Sequence, residues 1–372
     1  MARLKPLINE ADDDLRVILA GGGTGGHLFP ALAIAEEFVR RKGKTKVLFI
    51  GTKRGLERRL LYDGTFPVRF IDIEGIRGKG FIGVLRGAMK IPGSMFQSWG
   101  ILRDFDPHIV IGVGGYASGP AVFAAHLMGV KTAIAEQNAL PGFTNRILGK
   151  VAKRIFLTFP DESRVFPEKK VVVAGNPVRN AFIEEGEKKK KTGTFTLLIF
   201  GGSQGASAIN SAVMEALQYM EGVMDGLKII HQTGERDLEK VANAYREHNI
   251  NAEVLPFITD MAEACKEADL LICRAGATSI AEITVLGKAA IFIPYPFATG
   301  NHQELNAKTL VDAGAAEMIV EDELSGRTLF QMIEELYRNS GRIETMEKMS
   351  KSLGNIKAAS NIVNECLTLI GQ

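Results

Sequence analysis

The amino-acid sequence predicts an α/β protein with two Rossmann-like domains. Short apolar runs rich in β-branched residues alternate with amphipathic helical stretches, which is typical of a parallel sheet covered by helices. A unit of strand, glycine-rich turn and amphipathic helix occurs twice, about 180 residues apart, and opens each of two series of strands. Between the series, residues 175–193 carry an Asn-Pro step and a run of lysines, so we expect an exposed connection there.

The expected strands follow in order along the chain. The first series is 16–20, 46–50, 108–113, 132–135, 154–157 and 170–174, and the second is 194–200, 227–231, 252–256, 270–273 and 289–293. We place the hinge near Asn176, so that residues 1–176 form an N-terminal domain and residues 177–353 a C-terminal domain. The last helix, within residues 354–372, can pack back on the N-terminal domain.

The composition is that of a globular protein with buried cores, because 46% of the 372 residues are hydrophobic and 24% are charged. The three cysteines are not closely spaced, which argues against a disulfide framework or a cysteine zinc site and fits a reducing cytoplasm. Charges near the N-terminus argue against a signal peptide, and no apolar run reaches the roughly 20 residues that span a bilayer. We therefore expect a soluble or peripheral protein.

Charge is distributed unevenly between the two halves. Residues 1–176 contain 26 Lys and Arg against 16 Asp and Glu, a balance of +10, while residues 177–372 contain 19 against 27, a balance of −8. The first half is therefore expected to face an anionic partner, either nucleic acid or an acidic membrane surface. An apolar helical face in residues 80–91, flanked by Arg86 and Lys90, favours a membrane interface, with an ordinary core-packing helix as the alternative.

The first glycine cluster, residues 21–26, matches the pattern G-x-G-x-x-G. A dinucleotide site needs a carboxylate at the end of the second strand, but the sequence there has none until Glu57. A glycine-rich turn at a helix N-terminus instead favours a phosphate or a developing negative charge. His27 follows at once, where an imidazole can act as a general base at neutral pH. A histidine that only caps or packs the helix is the alternative.

Two further clusters extend this pattern. Residues 201–205 repeat the glycine turn, and Ser203 offers a hydroxyl to a phosphate oxygen, although a plain strand-to-helix turn has the same residues. Residues 274–282 place small side chains at another helix start, with Glu282 positioned to accept two hydrogen bonds from a ribose diol. Gln303 follows the next strand and loop and suits sugar hydroxyls. No metal-ligand spacing occurs, so amides and helix dipoles are expected to neutralise a diphosphate without a bound metal or cofactor.

Taken together, these segments resemble the MurG family of peptidoglycan enzymes. The resemblance runs in order from about residue 17 to 315 and rests on GGGTGGHLFPALAIA, GVGGYASGP, EQNALPGFTNR, GNPVR, GGSQGASAIN, CRAGATSIAE and NHQELNA. It implies a GT-B fold, with a cleft between an acceptor domain and a UDP-sugar domain. It also implies transfer of N-acetylglucosamine from UDP-N-acetylglucosamine to lipid I with inversion, which gives the β-1,4 linkage of lipid II.

The resemblance further implies the site residues. His27 and Tyr116 match positions on the acceptor side, and His27 is predicted to be the catalytic base. In this family the backbone of the residue at Ile258 binds the uracil. The segment FATGNH, ahead of Gln303, is less polar than the family pattern. The implied donor-binding residues are Thr24, Gly25, Gly26, Asn138, Arg179, Ser203, Ile258, Ala277, Thr278, Ser279, Ile280, Ala281, Glu282 and Gln303.

The implied partners are UDP-N-acetylglucosamine, lipid I, an anionic membrane surface and proteins of cell-wall synthesis or division, with no nucleic acid. The implied location is the cytoplasmic face of the inner membrane. Three alternatives remain open at this point. They are another GT-B transferase or a UDP-sugar epimerase, a nucleotide-binding dehydrogenase, and a nucleotide-binding module without catalysis.

Overall fold

The computed structural model describes residues 14–53, 66–74, 81–161, 164–184, 194–202, 205–222 and 226–372, with the backbone alone for residues 81–88 and Thr299. The strands of the N-terminal domain are β1 (Arg16–Ala20), β2 (Lys46–Thr52), β3 (Val68–Ile71), β4 (Ile109–Gly112), β5 (Lys131–Glu136), β6 (Arg154–Leu157) and β7 (Val171–Val173). Those of the C-terminal domain are β8 (Phe195–Phe200), β9 (Leu227–Gln232), β10 (Ala252–Leu255), β11 (Leu270–Cys273), β12 (Ala289–Phe292) and β13 (Ala316–Met318).

The helices within the described ranges alternate with these strands. They are α1 (Gly25–Arg41), α2 (Phe81–Phe105), α3 (Ser118–Leu127), α4 (Phe143–Val151), α5 (Asn180–Ile183), α6 (Ser207–Met220), α7 (Leu238–Glu247), α8 (Met261–Glu267), α9 (Ala277–Leu286), α10 (His302–Asp312), α11 (Gly326–Arg338), α12 (Ser340–Leu353) and α13 (Ala358–Ile370). None of these helices is both long enough and apolar enough to cross a membrane.

The strands form two parallel sheets, one in each domain. The first has the order β3-β2-β1-β4-β5-β6-β7 and the second the order β10-β9-β8-β11-β12-β13. Buried apolar clusters cover both faces of each sheet, so the central strands consist almost wholly of apolar residues. The strand order changes direction beside β1 and beside β8. Ligands of such sheets bind in the crevice at the carboxyl ends of the strands next to this point.

The predicted α/β fold with two Rossmann-like sheets is confirmed. All eleven expected strands are present, with ends within two residues of those expected. Two strands were not predicted, β3 and β13, which are edge strands of their sheets. Each is short and carries a charged residue, Arg69 or Glu317, so neither has the continuous apolar run of a strand that is buried on both faces.

The connection between the domains differs in part from the expectation of an exposed segment. Asn176 and Val178 are buried, and Phe182 on α5 packs into the core of the C-terminal domain. Apolar side chains after the Asn-Pro step therefore anchor the start of the connection. The final helix, α13, packs on α1 and places Ile362 in the core beneath the first sheet.

Candidate functional site

Two glycine-rich turns of the N-terminal domain lock together at the carboxyl end of its sheet. Gly21 follows β1 and Gly114 lies just beyond β4, with φ angles of 145° and 93°. A Cβ atom at Gly21 would lie 2.2 Å from the carbonyl oxygen of Gly114, and one at Gly115 would lie 2.4 Å from that of Gly22. Close approach of the two backbones therefore requires glycine in both turns.

His27 lies in the first turn of α1, against the Gly114 turn. Its Nδ1 is 3.3 Å from Thr24 Oγ1, and the Gly22 carbonyl also hydrogen-bonds the ring. A Cβ atom at Gly114 would lie 2.8 Å from Nε2 of His27. Desolvation lowers the pKa of the imidazole below its ordinary value, while the Glu136 carboxylate opposes this shift. His27 is therefore neutral at neutral pH, which is the state that a general base requires.

Glu136, the last residue of β5, organises the next loop of the N-terminal domain. Its buried carboxylate accepts hydrogen bonds from the backbone N–H groups of Asn138 at 3.1 Å and Gly142 at 2.9 Å. It also accepts from the side-chain amides of Asn138 at 3.3 Å and Asn145 at 2.9 Å. These bonds satisfy the buried charge and orient Asn138, a predicted donor-binding residue. Glu136 was not predicted as a site residue, although it lies in the EQNALPGFTNR segment.

The C-terminal domain repeats the glycine turn after β8. Gly202 and Gly205 have φ angles of 94° and 76°, and the Gly205 N–H donates to the Gly202 carbonyl at 3.0 Å. A Cβ atom at Gly205 would lie 1.9 Å from the carbonyl oxygen of Thr233, so the turn packs directly on the end of β9. Ser203, the predicted phosphate contact in this turn, lies outside the described residues.

The start of α9 supplies the third predicted segment. Ala277 and Ile280 are buried in the core, so these residues can offer only backbone atoms to a ligand. Ser279 and Ala281 are half-buried. The Thr278 hydroxyl donates to the carbonyl oxygen of Gly26 at 3.1 Å and thereby joins α9 to α1 of the other domain. The two predicted donor-binding segments are thus brought into contact.

Glu282 and Arg179 form an ion pair where the domains meet. Arg179 Nη2 lies 2.8 Å from Glu282 Oε1, and the guanidinium lies over the ring of Phe29 on α1 at 4.2 Å. Burial raises the pKa of the Glu282 carboxyl, and the positive charge of Arg179 opposes this shift. The structure therefore brings together two predicted donor-binding residues, and an aromatic ring of the N-terminal domain packs against the Arg179 guanidinium.

The helix α10 completes the contact between the domains. The Gln303 side chain accepts a hydrogen bond from the Tyr295 N–H at 3.0 Å, which holds the preceding loop. Asn306, which was not predicted as a site residue, is fully buried. Its Oδ1 accepts from the Ala139 N–H at 3.1 Å, and its amide donates to the Ala275 carbonyl at 3.3 Å. Asn306 therefore links the loop ordered by Glu136 to the loop before α9.

The other predicted residues lie in segments that follow the carboxyl ends of β4, β1 and β10. Tyr116 is 52% exposed, two residues beyond Gly114, so its ring is accessible to a ligand. Gly25 packs against Phe29, whose ring would lie 2.9 Å from a Cβ atom at this position. Ile258 is buried in the loop after β10.

The predicted membrane segment is only partly described, because residue 80 and the side chains of residues 81–88, including Arg86, lie outside the described set. Lys90 Nζ pairs with Asp72 at 2.9 Å and Glu74 at 2.8 Å, and these carboxylates raise its pKa. Because its charge is already compensated within the protein, Lys90 is a poor candidate for contact with an anionic surface.

Comparison with known proteins identifies relatives along nearly the whole chain. Residues 17–157 match the N-terminal domain of glycosyltransferase family 28, and residues 196–364 match the C-terminal domain of that family. The chain is 56% identical over 357 residues to a protein of Syntrophus aciditrophicus (96% of this chain and 99% of that protein). That relative is named UDP-N-acetylglucosamine--N-acetylmuramyl-(pentapeptide) pyrophosphoryl-undecaprenol N-acetylglucosamine transferase.

Solved structures show the same similarity in three dimensions. The crystal structure of Acinetobacter baumannii MurG is 34% identical to this chain, with a TM-score of 0.76 and coverage of 95% of this chain and 99% of that one. A UDP-N-acetylglucosamine 2-epimerase superimposes with a TM-score of 0.70 over 96% of each chain, but it is only 13% identical. At that identity the likeness extends to the fold alone, since one fold hosts many functions.

Proposed function

The chain belongs to the MurG family of glycosyltransferase family 28, and we propose that it transfers N-acetylglucosamine from UDP-N-acetylglucosamine to lipid I, forming lipid II. The observation that carries this function is the 56% identity, over nearly the full length of both chains, to a relative named for this transfer. The epimerase and dehydrogenase alternatives lose their support, because the epimerase likeness is confined to the fold and the carboxylate of a dinucleotide site is missing after β2.

We propose that the donor binds between the turn after β8 and the start of α9. The amides at these two sites are suited to the diphosphate, and the Glu282 carboxylate is suited to the ribose diol. In the described residues, no group of three or more His, Cys, Asp or Glu side chains is arranged to hold a metal ion. We therefore propose that backbone amides and helix dipoles neutralise the leaving diphosphate without a metal.

For the transfer step, we propose that His27 acts as the general base. As the 4-hydroxyl oxygen of the muramyl sugar attacks the anomeric carbon, the imidazole takes the hydroxyl proton. The bond from that carbon to the diphosphate breaks on the opposite face, so UDP leaves and the configuration inverts. The neutral state of His27 and its place beside the interlocked glycine turns support this role.

We further propose that the N-terminal domain docks on an anionic membrane surface through α2, α3 and α4. These helices pack against one apolar cluster and therefore form one layer over the sheet.

Large apolar side chains of this helical layer remain exposed. They are Phe96 at 80% and Phe143 at 66%, together with Met89, Trp99, Leu127 and Ile147. Arg103, Arg146 and Lys150 are exposed on the same helices and can pair with lipid phosphates. We propose that this membrane surface is the cytoplasmic face of the inner membrane, where a supply of lipid II would connect the protein to proteins of cell-wall growth, shape and division.

The function is tested with labelled UDP-N-acetylglucosamine and a lipid I analogue, followed by anomeric analysis of the product. We expect acceptor-dependent transfer and a β-1,4 linkage. An α-linked product would contradict inversion. Conversion of the donor to an epimer, or to free sugar, without any transfer to the acceptor would contradict the proposed function itself.

A further inference from the structure

We propose that Gln232 is a positioning residue that connects the diphosphate-binding turn to the uracil-binding segment of the donor site. The inference rests on the proposed function, because it assumes that UDP binds at these two segments. The Gln232 side chain is 1% exposed. Its Nε2 donates to the carbonyl oxygen of Gly202 at 2.7 Å, and its Oε1 accepts from the N–H of Ile258 at 2.8 Å.

The sheet topology explains why one side chain reaches both segments. Gln232 is the last residue of β9, which lies between β8 and β10. It pairs in register with Phe200 and Leu255, the last residues of those two strands. The glycine turn follows β8 and the Ile258 loop follows β10. A long side chain at the end of the middle strand therefore spans the two loops that are suited to the two ends of UDP.

Each hydrogen bond fixes an orientation that a nucleotide diphosphate needs. The Gly202 carbonyl accepts from both Gln232 and the Gly205 N–H, so it points into the protein. A carbonyl oxygen turned outward would instead repel a phosphate. At Ile258 the N–H donates to Gln232, and this bond fixes the orientation of the peptide in the uracil-binding segment.

Few other side chains could replace Gln232. A glutamine amide has one donor end and one acceptor end, and the two partners here are a carbonyl and an N–H group. An ionised glutamate keeps the bond to Ile258 but has no proton to donate to Gly202. A methionine of similar length makes neither bond, which leaves the Ile258 N–H without a partner and the Gly202 carbonyl with the Gly205 N–H alone. These differences make the two bonds separable by mutation.

The test compares UDP with uridine, which lacks the phosphates, as calorimetric ligands of the full-length protein. We expect Gln232→Met to weaken the binding of both ligands, with UDP affinity reduced by on the order of tenfold. Gln232→Glu is expected to weaken UDP binding by a similar factor and to leave uridine binding nearly unchanged. Because a protonated carboxyl can donate to Gly202, UDP affinity of this variant should approach that of the wild type as the pH falls from about 8 to about 6. A structural defect would not reverse in this way.

The matched control is Gln218→Met, because Gln218 is exposed on α6 and its amide donates only to a carbonyl of its own helix. It should leave the affinities for both ligands unchanged. Thermal melting establishes that each variant is folded, and Gln232→Leu, which likewise makes neither hydrogen bond, replaces Gln232→Met should that variant not fold. If the wild type binds UDP and a folded apolar variant binds it equally well, Gln232 does not position the donor site. Failure of the wild type to bind UDP would overturn both this inference and the proposed donor site.

Discussion

Glu282→Gln isolates the contribution of one buried charge to donor binding. The substitution keeps the size of the side chain but removes the charge, in a position that is 8% exposed. A hydrogen bond from a ribose hydroxyl to a carboxylate is worth about 1.5–3 kcal/mol, against about 0.5–1.5 kcal/mol for a bond to a neutral amide. Weakening one bond and losing the acceptor of the second gives about 2–3 kcal/mol in total, which corresponds to a roughly 30- to 150-fold increase in Kd for UDP.

The assay is isothermal titration with UDP and with 2′-deoxy-UDP, which lacks one hydroxyl of the diol. The wild type should prefer UDP, and Glu282→Gln should lose most of this preference. Glu317→Gln is a matched control, because Glu317 also pairs with an arginine, Arg342, but lies on the edge strand β13. It should leave UDP affinity unchanged. A Glu282→Gln variant that binds UDP within about twofold of the wild type and still prefers it over the deoxy ligand would refute the ribose assignment.

Four other predictions concern catalysis and location. His27→Asn should lower kcat by about 10²–10⁴-fold with little change in UDP affinity, and an asparagine variant with most of the wild-type turnover would make His27 an orienting residue. Because desolvation lowers the pKa of His27, kcat/KM of the wild type should decline only below the ordinary histidine pKa, and a decline that begins above it would contradict the assignment. Activity should survive exhaustive chelation, whereas loss that a stoichiometric divalent ion restores would disprove neutralisation by amides and dipoles. Replacing Phe96 and Trp99 by Ser should reduce sedimentation with anionic vesicles. Phe297→Ser, at an equally exposed phenylalanine of the other domain, should not, and equal loss in both would refute docking through α2.

Several site residues could be predicted because they belong to local patterns. A glycine-rich turn between a strand and a helix can be recognised from a few consecutive residues of the sequence. The positions of His27 and Glu282 at helix starts therefore follow from sequence. The role of Ile258 came only from the family resemblance. A buried apolar residue that binds a ligand through its backbone has no side-chain group that would identify it as a ligand-binding residue in the sequence. Gln232 was missed for a similar reason, since a lone glutamine at the end of a strand is no motif.

Local sequence patterns were enough to predict the two-domain α/β fold, the strands that are buried on both faces, and the glycine turns, because each depends on neighbours within a few residues. Which of these segments meet depends on the three-dimensional packing of the chain. The Arg179–Glu282 pair joins residues 103 positions apart, and Asn306 reaches a loop 167 positions away. Sheet order sets these contacts, together with the packing of one domain against the other. Local periodicity carries no information about sheet order, because a strand has the same pattern whichever neighbour it pairs with.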